Sequence, residues 1–147
     1  MTEESVLLEL IASRQEGILA LVRSSGYPHL SNVLYTWDPG QRTARVSTTA
    51  DRVKGRIARR DPHAALHVPG PHFWSYAVAE GDVEPSAVAT APGDPACREL
   101  LEVHSAFYGE IEDESEFFEQ MIAARRLVLR LRVRRMYGLA LERPPGG

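Results

Sequence analysis

The sequence lacks several features that would assign it at once to a class of protein. One cysteine, Cys97, in 147 residues excludes an intramolecular disulfide and a cysteine-based metal cluster, and we expect it to be a small core residue. No apolar run approaches the roughly 20 residues that cross a bilayer, and the acidic start at Glu3 and Glu4 is unlike a secretion signal. We therefore expect a cytoplasmic protein without membrane insertion. The net charge of −3 argues against a general nucleic-acid binder.

The motifs of the common catalytic sites are also missing. There is no Gly-x-Ser-x-Gly elbow, no Walker phosphate loop, no Gly-x-Gly-x-x-Gly and no His-Glu-x-x-His pair. The histidines are scattered over different predicted elements, so we predict no metal site. They are His29, His63, His67, His72 and His104. If the protein is an enzyme, a cofactor is expected to carry the chemistry.

What the sequence does contain is a pattern of short strands. With 44% hydrophobic and 25% charged residues, the chain predicts one globular domain over residues 1–147, with flexible ends at 1–4 and 143–147. Strands are predicted at residues 17–23, 27–37, 43–49, 64–68, 73–83 and 127–133. The connections between the early strands are too short for parallel crossovers. The pattern thus predicts a mainly β protein, a small barrel of six or more mostly antiparallel strands with peripheral α-helices.

A corner between a strand and a helix is the most informative segment. Ser47 and Thr48 end the third predicted strand, and Arg52 and Lys54 lie in the first turn of the helix that follows. The helix dipole repels cations at that end, whereas free backbone N–H groups there bind anions. A phosphate site would explain these cations, although a solvated basic helix is the alternative. Gly55 lies inside this helix and would permit close approach of the ligand.

Several segments carry a resemblance to a known family. They lie at residues 17–20, 27–33, 54–62, 74–81, 125–126 and 136–139. With these segments the whole chain resembles the pyridoxamine 5′-phosphate oxidase-like flavin and deazaflavin oxidoreductases, a family with the FMN-binding split β-barrel fold. The resemblance is strongest to the actinobacterial branch, which uses coenzyme F420.

The resemblance implies a cytoplasmic homodimer with cofactor sites at the subunit interface, and hydride transfer between reduced F420 and an apolar or conjugated small molecule. The implied phosphate ligands are Ser47, Thr48, Arg52 and Lys54, with Arg126 as a helper. The residues implied along the ring are His29, Leu30, Ser31, Asn32 and Val33. Trp74, Ser75 and Tyr76 of the other subunit would line the pocket. Tyr76 or His29 would donate a proton.

Five of these assignments have an alternative. Trp74 and Tyr76 could pack in the core, Ser31 and Asn32 could be polar residues of a sheet edge, and Arg126 could be a solvated charge. For the whole protein, the alternatives are an FMN-binding oxidoreductase of the same fold and a non-catalytic cofactor-binding protein. The acidic tail of F420 gives a reason for additional arginines near the site, whereas FMN carries only its phosphate.

Overall fold

A computed structural model of the chain describes residues 3–140, which form seven strands and four helices. The strands are β1 (Glu16–Val22), β2 (Pro28–Leu34), β3 (Thr36–Asp38), β4 (Thr43–Thr49), β5 (His63–Pro69), β6 (Tyr76–Pro85) and β7 (Arg126–Leu139). The helices are α1 (Glu3–Ser13), α2 (Val53–Arg60), α3 (Pro95–Tyr108) and α4 (Glu114–Ala123). Of the ends predicted to be flexible, Glu3 and Glu4 form the first turn of α1, and residues 1, 2 and 143–147 lie outside the described part.

The strands form one antiparallel sheet in the order β2-β1-β5-β6-β7-β4-β3. Its two edge strands, β2 and β3, are consecutive in the chain and are separated only by Tyr35. The two edges of the sheet must therefore lie next to each other, which requires the sheet to curl. The prediction of a mainly β split barrel with peripheral helices is confirmed.

The prediction of one strand over residues 27–37 was wrong. The strand is interrupted at Tyr35, which is fully buried and whose hydroxyl donates a hydrogen bond to the backbone oxygen of Ile11 at 2.5 Å. After this residue the chain leaves β1 and pairs with β4 instead. Tyr35 thus fixes the place where the chain passes from one edge of the sheet to the other.

The predicted strand over residues 73–83 begins later than expected, at Tyr76. Before it, the backbone closes a turn in which Gly70 N donates to Ser75 O at 2.7 Å and Ser75 N donates to His72 O at 3.0 Å. Gly81 marks a bulge, because the register between β6 and β7 shifts between Glu80 and Gly81.

The core has two parts. The larger part fills the curl of the sheet, and the smaller part lies between α3, α4 and β7. Cys97 is fully buried in the smaller part, as expected. Helix α3 is capped by Asp94, whose carboxylate accepts a hydrogen bond from Cys97 N at 2.8 Å, and it ends at Gly109 with a φ of 81°.

Helix α2 packs very closely on the end of β4, and Gly55 is the reason. A Cβ at this position would lie 2.8 Å from Thr49 O and 3.2 Å from Ala50 O, so only glycine allows the contact. The expectation that Gly55 makes room for a ligand is therefore corrected: it makes room for the strand. The result is that the first turn of α2 is held directly over the end of β4.

Candidate functional site

A cleft lies where the end of β2, the middle of β4 and the end of α3 meet. Its volume is about 200 Å³. The lining residues are Asn32, Val33, Leu34, Val46, Ser47, Lys54, His104, Phe107, Tyr108 and Arg126. We call it the anion cleft. It brings together five of the residues singled out from the sequence, namely Asn32, Val33, Ser47, Lys54 and Arg126.

Ser47 is the centre of the hydrogen bonds in the anion cleft. Arg126 Nη1 donates to Ser47 Oγ at 3.0 Å, and His104 Nε2 lies 3.0 Å from the same oxygen. Side chains alternate between the faces of a strand, so Thr48 points away from Ser47 and is 3% exposed, on the core face that carries Val46. The structure therefore does not place the Thr48 side chain in the cleft.

Burial and neighbouring cations lower the pKa of the basic groups in the anion cleft. Burial, followed by the nearby guanidinium groups of Arg52 and Arg126, lowers the pKa of Lys54. Burial and Arg52 also lower the pKa of Arg126. Within residues 3–140, no carboxylate forms an ion pair with Arg52, Lys54 or Arg126. The cleft thus holds uncompensated positive charge, which a bound anion would neutralise.

The beginning of α2 adds to this positive potential. Arg52 occupies the N-cap position without a side-chain capping bond, and the first turn has no acidic residue. Its free backbone N–H groups and the helix dipole therefore act with Lys54 in the same direction. The structure thus contains the strand-to-helix corner that the sequence predicts as an anion site.

A second basic depression lies on the outer side of α2, with a volume of about 480 Å³. Its lining residues are Arg23, Ser24, His29, Val53, Arg56, Ile57 and Arg60. We call it the α2 groove. Burial, Arg23 and Lys54 lower the pKa of His29, which lines this groove. His29 was expected along a cofactor ring, but the structure places it in the α2 groove.

Trp74, Ser75 and Tyr76 line a separate cavity of about 640 Å³ built around the turn at residues 69–75, the aromatic loop. Trp74 is 54% exposed, which rules out the core packing weighed for it, and it contacts Phe73 edge to face at 4.8 Å. Ser75 is buried, and Tyr76 stacks on His67 with ring centroids 5.5 Å apart.

A shallower depression of about 350 Å³ connects the two regions. It shares residues 32–34 with the anion cleft and Pro69 with the cavity of the aromatic loop. The three cavities therefore follow one another across the sheet. Leu30 and Ser31, also singled out from the sequence, line none of these cavities.

One face of the sheet carries apolar side chains that nothing within residues 3–140 covers. Residues paired across neighbouring strands share a face, and the row Asn32, Ile18, His67, Val78 and Tyr137 crosses five strands. The same face carries four exposed large side chains, which are Leu30, Leu34, Tyr137 and Leu139. We call it the open sheet face.

Sequence reasoning missed the wall of the anion cleft that α3 contributes. His104, Phe107 and Tyr108 all line the cleft, and His104 is partly buried. Burial and Arg126 lower the pKa of His104. The spacing of His104 and Tyr108 places them on one side of the helix. However, that spacing does not reveal that this side of α3 meets β4.

Residues 4–140 match the family model described as pyridoxamine 5′-phosphate oxidase. The chain belongs to this family. Within residues 3–140, no helix is long and apolar enough to cross a membrane, and no three His, Cys, Asp or Glu side chains are placed to hold a metal ion.

Solved structures of several other proteins share the fold. A conserved hypothetical protein from Mycobacterium tuberculosis is 23% identical over 100% of this chain and 92% of that chain, with a TM-score of 0.71. A protein described as an F420 reductase is 24% identical over 88% of this chain and 94% of that chain, with a TM-score of 0.66. A haem-binding protein from Mycobacterium smegmatis is 20% identical over 97% of this chain and 56% of that chain, with a TM-score of 0.67. At these identities the likeness shows the fold alone.

Proposed function

We propose that this member of the pyridoxamine 5′-phosphate oxidase family is an oxidoreductase that binds coenzyme F420. The proposal rests mainly on one observation, the group of cations without carboxylate partners around α2. Its members are Arg23, Arg52, Lys54, Arg56, Arg60 and Arg126. A soluble small anion with charge along its length would neutralise them. The fold of the F420 reductase agrees with this choice.

The arrangement of the cations favours F420 over FMN. The anion cleft is large enough for a phosphate group, and the α2 groove begins beside it at His29. A single phosphate, as in FMN, would leave Arg23, Arg56 and Arg60 without an anionic partner. An elongated anion that carries a phosphate and an acidic tail would contact both regions. FMN as the cofactor is the alternative, and it would be favoured if flavin co-purified with the protein.

In this proposal the residues of the chain bind and orient the cofactor. Lys54 and Arg126 hold the phosphate, and Ser47 is held by Arg126 so that its hydroxyl faces the cleft. Asn32 and Val33 lie along the ring from the neighbouring strand. F420, when bound, supplies the hydride-transfer chemistry. The lowered pKa of His29 keeps its imidazole neutral at pH 7, so Tyr76 is the stronger candidate for a proton donor.

We further propose that a second copy of the chain covers the open sheet face. The apolar side chains of β2 and β7 are exposed to water, and their burial against a partner would be favourable. Such a dimer would also cover the aromatic loop, so that Trp74 of one copy can reach the cofactor held by the other. The substrate would then bind between Trp74 and the ring, in a site that one copy cannot complete.

Binding of F420 and FMN, measured side by side by fluorescence quenching, tests the cofactor. We expect tight binding of F420, weak binding of FMN, and loss of F420 binding in Lys54→Ala. The reverse preference would identify a flavoprotein, and binding of neither would reject the proposal. Binding of F420 without reduction of any acceptor would instead favour a non-catalytic cofactor-binding protein.

Sedimentation of Leu30→Lys tests the dimer. Leu30 is 62% exposed, so a lysine at this position should leave the stability of one copy unchanged. We expect the variant to be monomeric and to bind F420 more weakly than the wild type. A dimeric variant, or a monomeric wild type, would reject the assignment of the open sheet face.

A further inference from the structure

We propose that His104 is a ligand of the anion bound in the cleft and takes up a proton when that anion binds. No residue of α3 was assigned a role from the sequence. The inference rests on the proposed function only in taking the anion cleft as the phosphate site. The ligand class is a phosphate or another tetrahedral oxyanion, whichever ring is attached to it.

The hydrogen bonds around Ser47 are those that a neutral His104 can make before an anion binds. Arg126 Nη1 donates to Ser47 Oγ at 3.0 Å, which leaves the hydroxyl proton of Ser47 free to be donated elsewhere. His104 Nε2 lies 3.0 Å from the same oxygen, in position to accept that proton. Because burial and Arg126 disfavour the imidazolium, His104 is neutral at pH 7 before an anion binds, and its Nε2 can accept from Ser47.

The ring is held in place by aromatic neighbours. Phe117 of α4 contacts it edge to face, with ring centroids 5.2 Å apart, and Tyr108 lies one turn along α3 at 6.1 Å. These contacts keep Nε2 directed towards the cleft. If His104 served only for packing, its Nε2 would not need to contact Ser47 Oγ, the atom to which Arg126 also donates.

The charges around His104 oppose its protonation in the absence of an anion. Arg126 on β7 faces it, Lys54 of α2 lines the same cleft, and Arg52 acts on both of these cations. Tyr108 is the titratable neighbour on α3 itself, whereas β4 contributes Ser47 and α4 contributes Phe117, which are uncharged. Burial and Arg126 accordingly lower the pKa of His104 from 6.5.

An anion between Lys54 and Arg126 reverses this balance. Its negative charge favours the imidazolium, which can donate from Nε2, and Ser47 is then free to turn its hydroxyl towards the anion. The bound state carries more protons on His104 than the free state. By linkage, the affinity for the anion must rise as the pH falls through the titration range of His104.

The test is a nuclear magnetic resonance titration of the histidine rings with inorganic sulfate as the probe. Sulfate keeps its charge throughout the range in which histidines titrate, so any change in proton binding belongs to the protein. The reference is sodium chloride at equal ionic strength. We expect sulfate to raise the pKa of His104 by about one unit, which corresponds to tenfold tighter binding of sulfate to the protonated protein.

The variants separate this effect from general screening. His104→Gln assigns the resonance and retains a group that can accept from Ser47, but its affinity for sulfate should no longer depend on pH in this range. Lys54→Ala should abolish the effect of sulfate on His104. His63 and His67 on β5 lie outside the cleft and should titrate identically in both salts.

Two outcomes would overturn the inference. The first is an unchanged pKa of His104 in sulfate, and the second is a change of equal size at His63 and His67. Because the probe has no ring, the result is independent of the cofactor. A protein that binds sulfate with proton uptake but does not bind F420 would keep the assignment of His104 and lose the proposed function.

Discussion

The arginines of β7 and the cations around α2 differ in what neutralises them. Along β7, four arginines face carboxylates of β6 and α3. These ion pairs join Arg130 to Glu84 and Glu99, Arg132 to Glu84, Arg134 to Asp82 and Arg135 to Glu80. Around α2, Lys54 and its neighbours have no such partner within residues 3–140. The chain has 20 acidic and 17 basic residues, so a shortage of carboxylates cannot explain the difference.

The comparison separates charge that stabilises the fold from charge held for a ligand. An ion pair on β7 is complete without any other molecule. In contrast, burial and neighbouring cations lower the pKa of both Lys54 and Arg126, so holding these charges in the cleft opposes folding at neutral pH. Natural proteins tolerate such conflicts mainly where function requires them. The predictions below separate these two kinds of charge by experiment.

The largest effect on stability is expected for Glu99→Gln. The Glu99 side chain is 12% exposed and accepts hydrogen bonds from Arg45 Nε at 2.9 Å and Arg130 Nη2 at 2.5 Å. The substitution removes the most buried carboxylate from two partly buried guanidinium groups and leaves them only the more exposed Asp38 and Glu84, which should cost about 3 kcal/mol of unfolding free energy. Urea unfolding measures the loss. The affinity for F420 should stay unchanged, because Glu99 lies outside the anion cleft.

The pH dependence of the unfolding free energy tests the same interaction of Glu99 in a second way. Burial acts to raise the pKa of Glu99, but hydrogen bonds from Arg130 and Arg45 outweigh it and hold the pKa below 4.5. The stabilisation is therefore fully present above pH 4.5. It is lost as the pH falls through the lowered pKa that Glu99 has in the folded protein. Glu99→Gln should remove this part of the acid transition. Glu114→Gln, which affects the exposed pair with Arg98, is the control and should cost under about 1 kcal/mol.

The next effect is expected for Lys54→Met, which keeps the apolar part of the side chain and removes the charge. Loss of a charge-assisted hydrogen bond should weaken F420 binding by about 2 kcal/mol, or roughly thirtyfold. The unfolding free energy without ligand should stay equal or rise, because one member of a repelling group is gone. Arg132→Gln is the matched control, since its charge is paired with Glu84. Equal losses of binding and stability in Lys54→Met would remove the distinction between the two regions.

Local sequence patterns predicted much of this fold because they report on single strands and helices. The alternation that predicts β4 and β7 depends only on residues next to one another in the sequence. The break at Tyr35 could not be predicted in this way. Tyrosine favours strands, and nothing local records that the next strand pairs at the opposite edge of the sheet.

The same limit applies to the site. The corner from Ser47 to Lys54 is local, and the sequence indicated it. By contrast, the role of His104 depends on the packing of α3 against β4, which lies 57 residues away in sequence. Thr48 was assigned together with its neighbours, but the alternation of β4 directs its side chain to the core face, whereas His29 lies at the start of β2 and lines the α2 groove instead. Trp74 has a high strand propensity, yet the turn closed by Gly70 and Ser75 keeps it in a loop.

The smallest effect is expected for Arg56→Gln in the α2 groove. Arg56 is exposed and has no carboxylate partner within residues 3–140, so its contact with an acidic tail should contribute about 0.5 to 1 kcal/mol. F420 binding should weaken by roughly two- to fivefold at low salt, and the difference should shrink as salt screens it. FMN binding should not change. Fluorescence quenching over a series of salt concentrations measures all three quantities.

F420 is expected to contact both the anion cleft and the α2 groove, whereas FMN is expected to contact the anion cleft alone. Measuring both affinities for Arg56→Gln therefore tests whether the cleft and the groove bind different parts of the cofactor. Arg132→Gln removes an arginine of similar exposure whose charge is already paired, so it should leave both affinities unchanged. If Arg56→Gln weakens FMN and F420 equally, the α2 groove acts only through its general field and holds no part of the cofactor. A loss confined to F420 would instead mean that the cations of α2 form two sites, one for the phosphate and one for the tail.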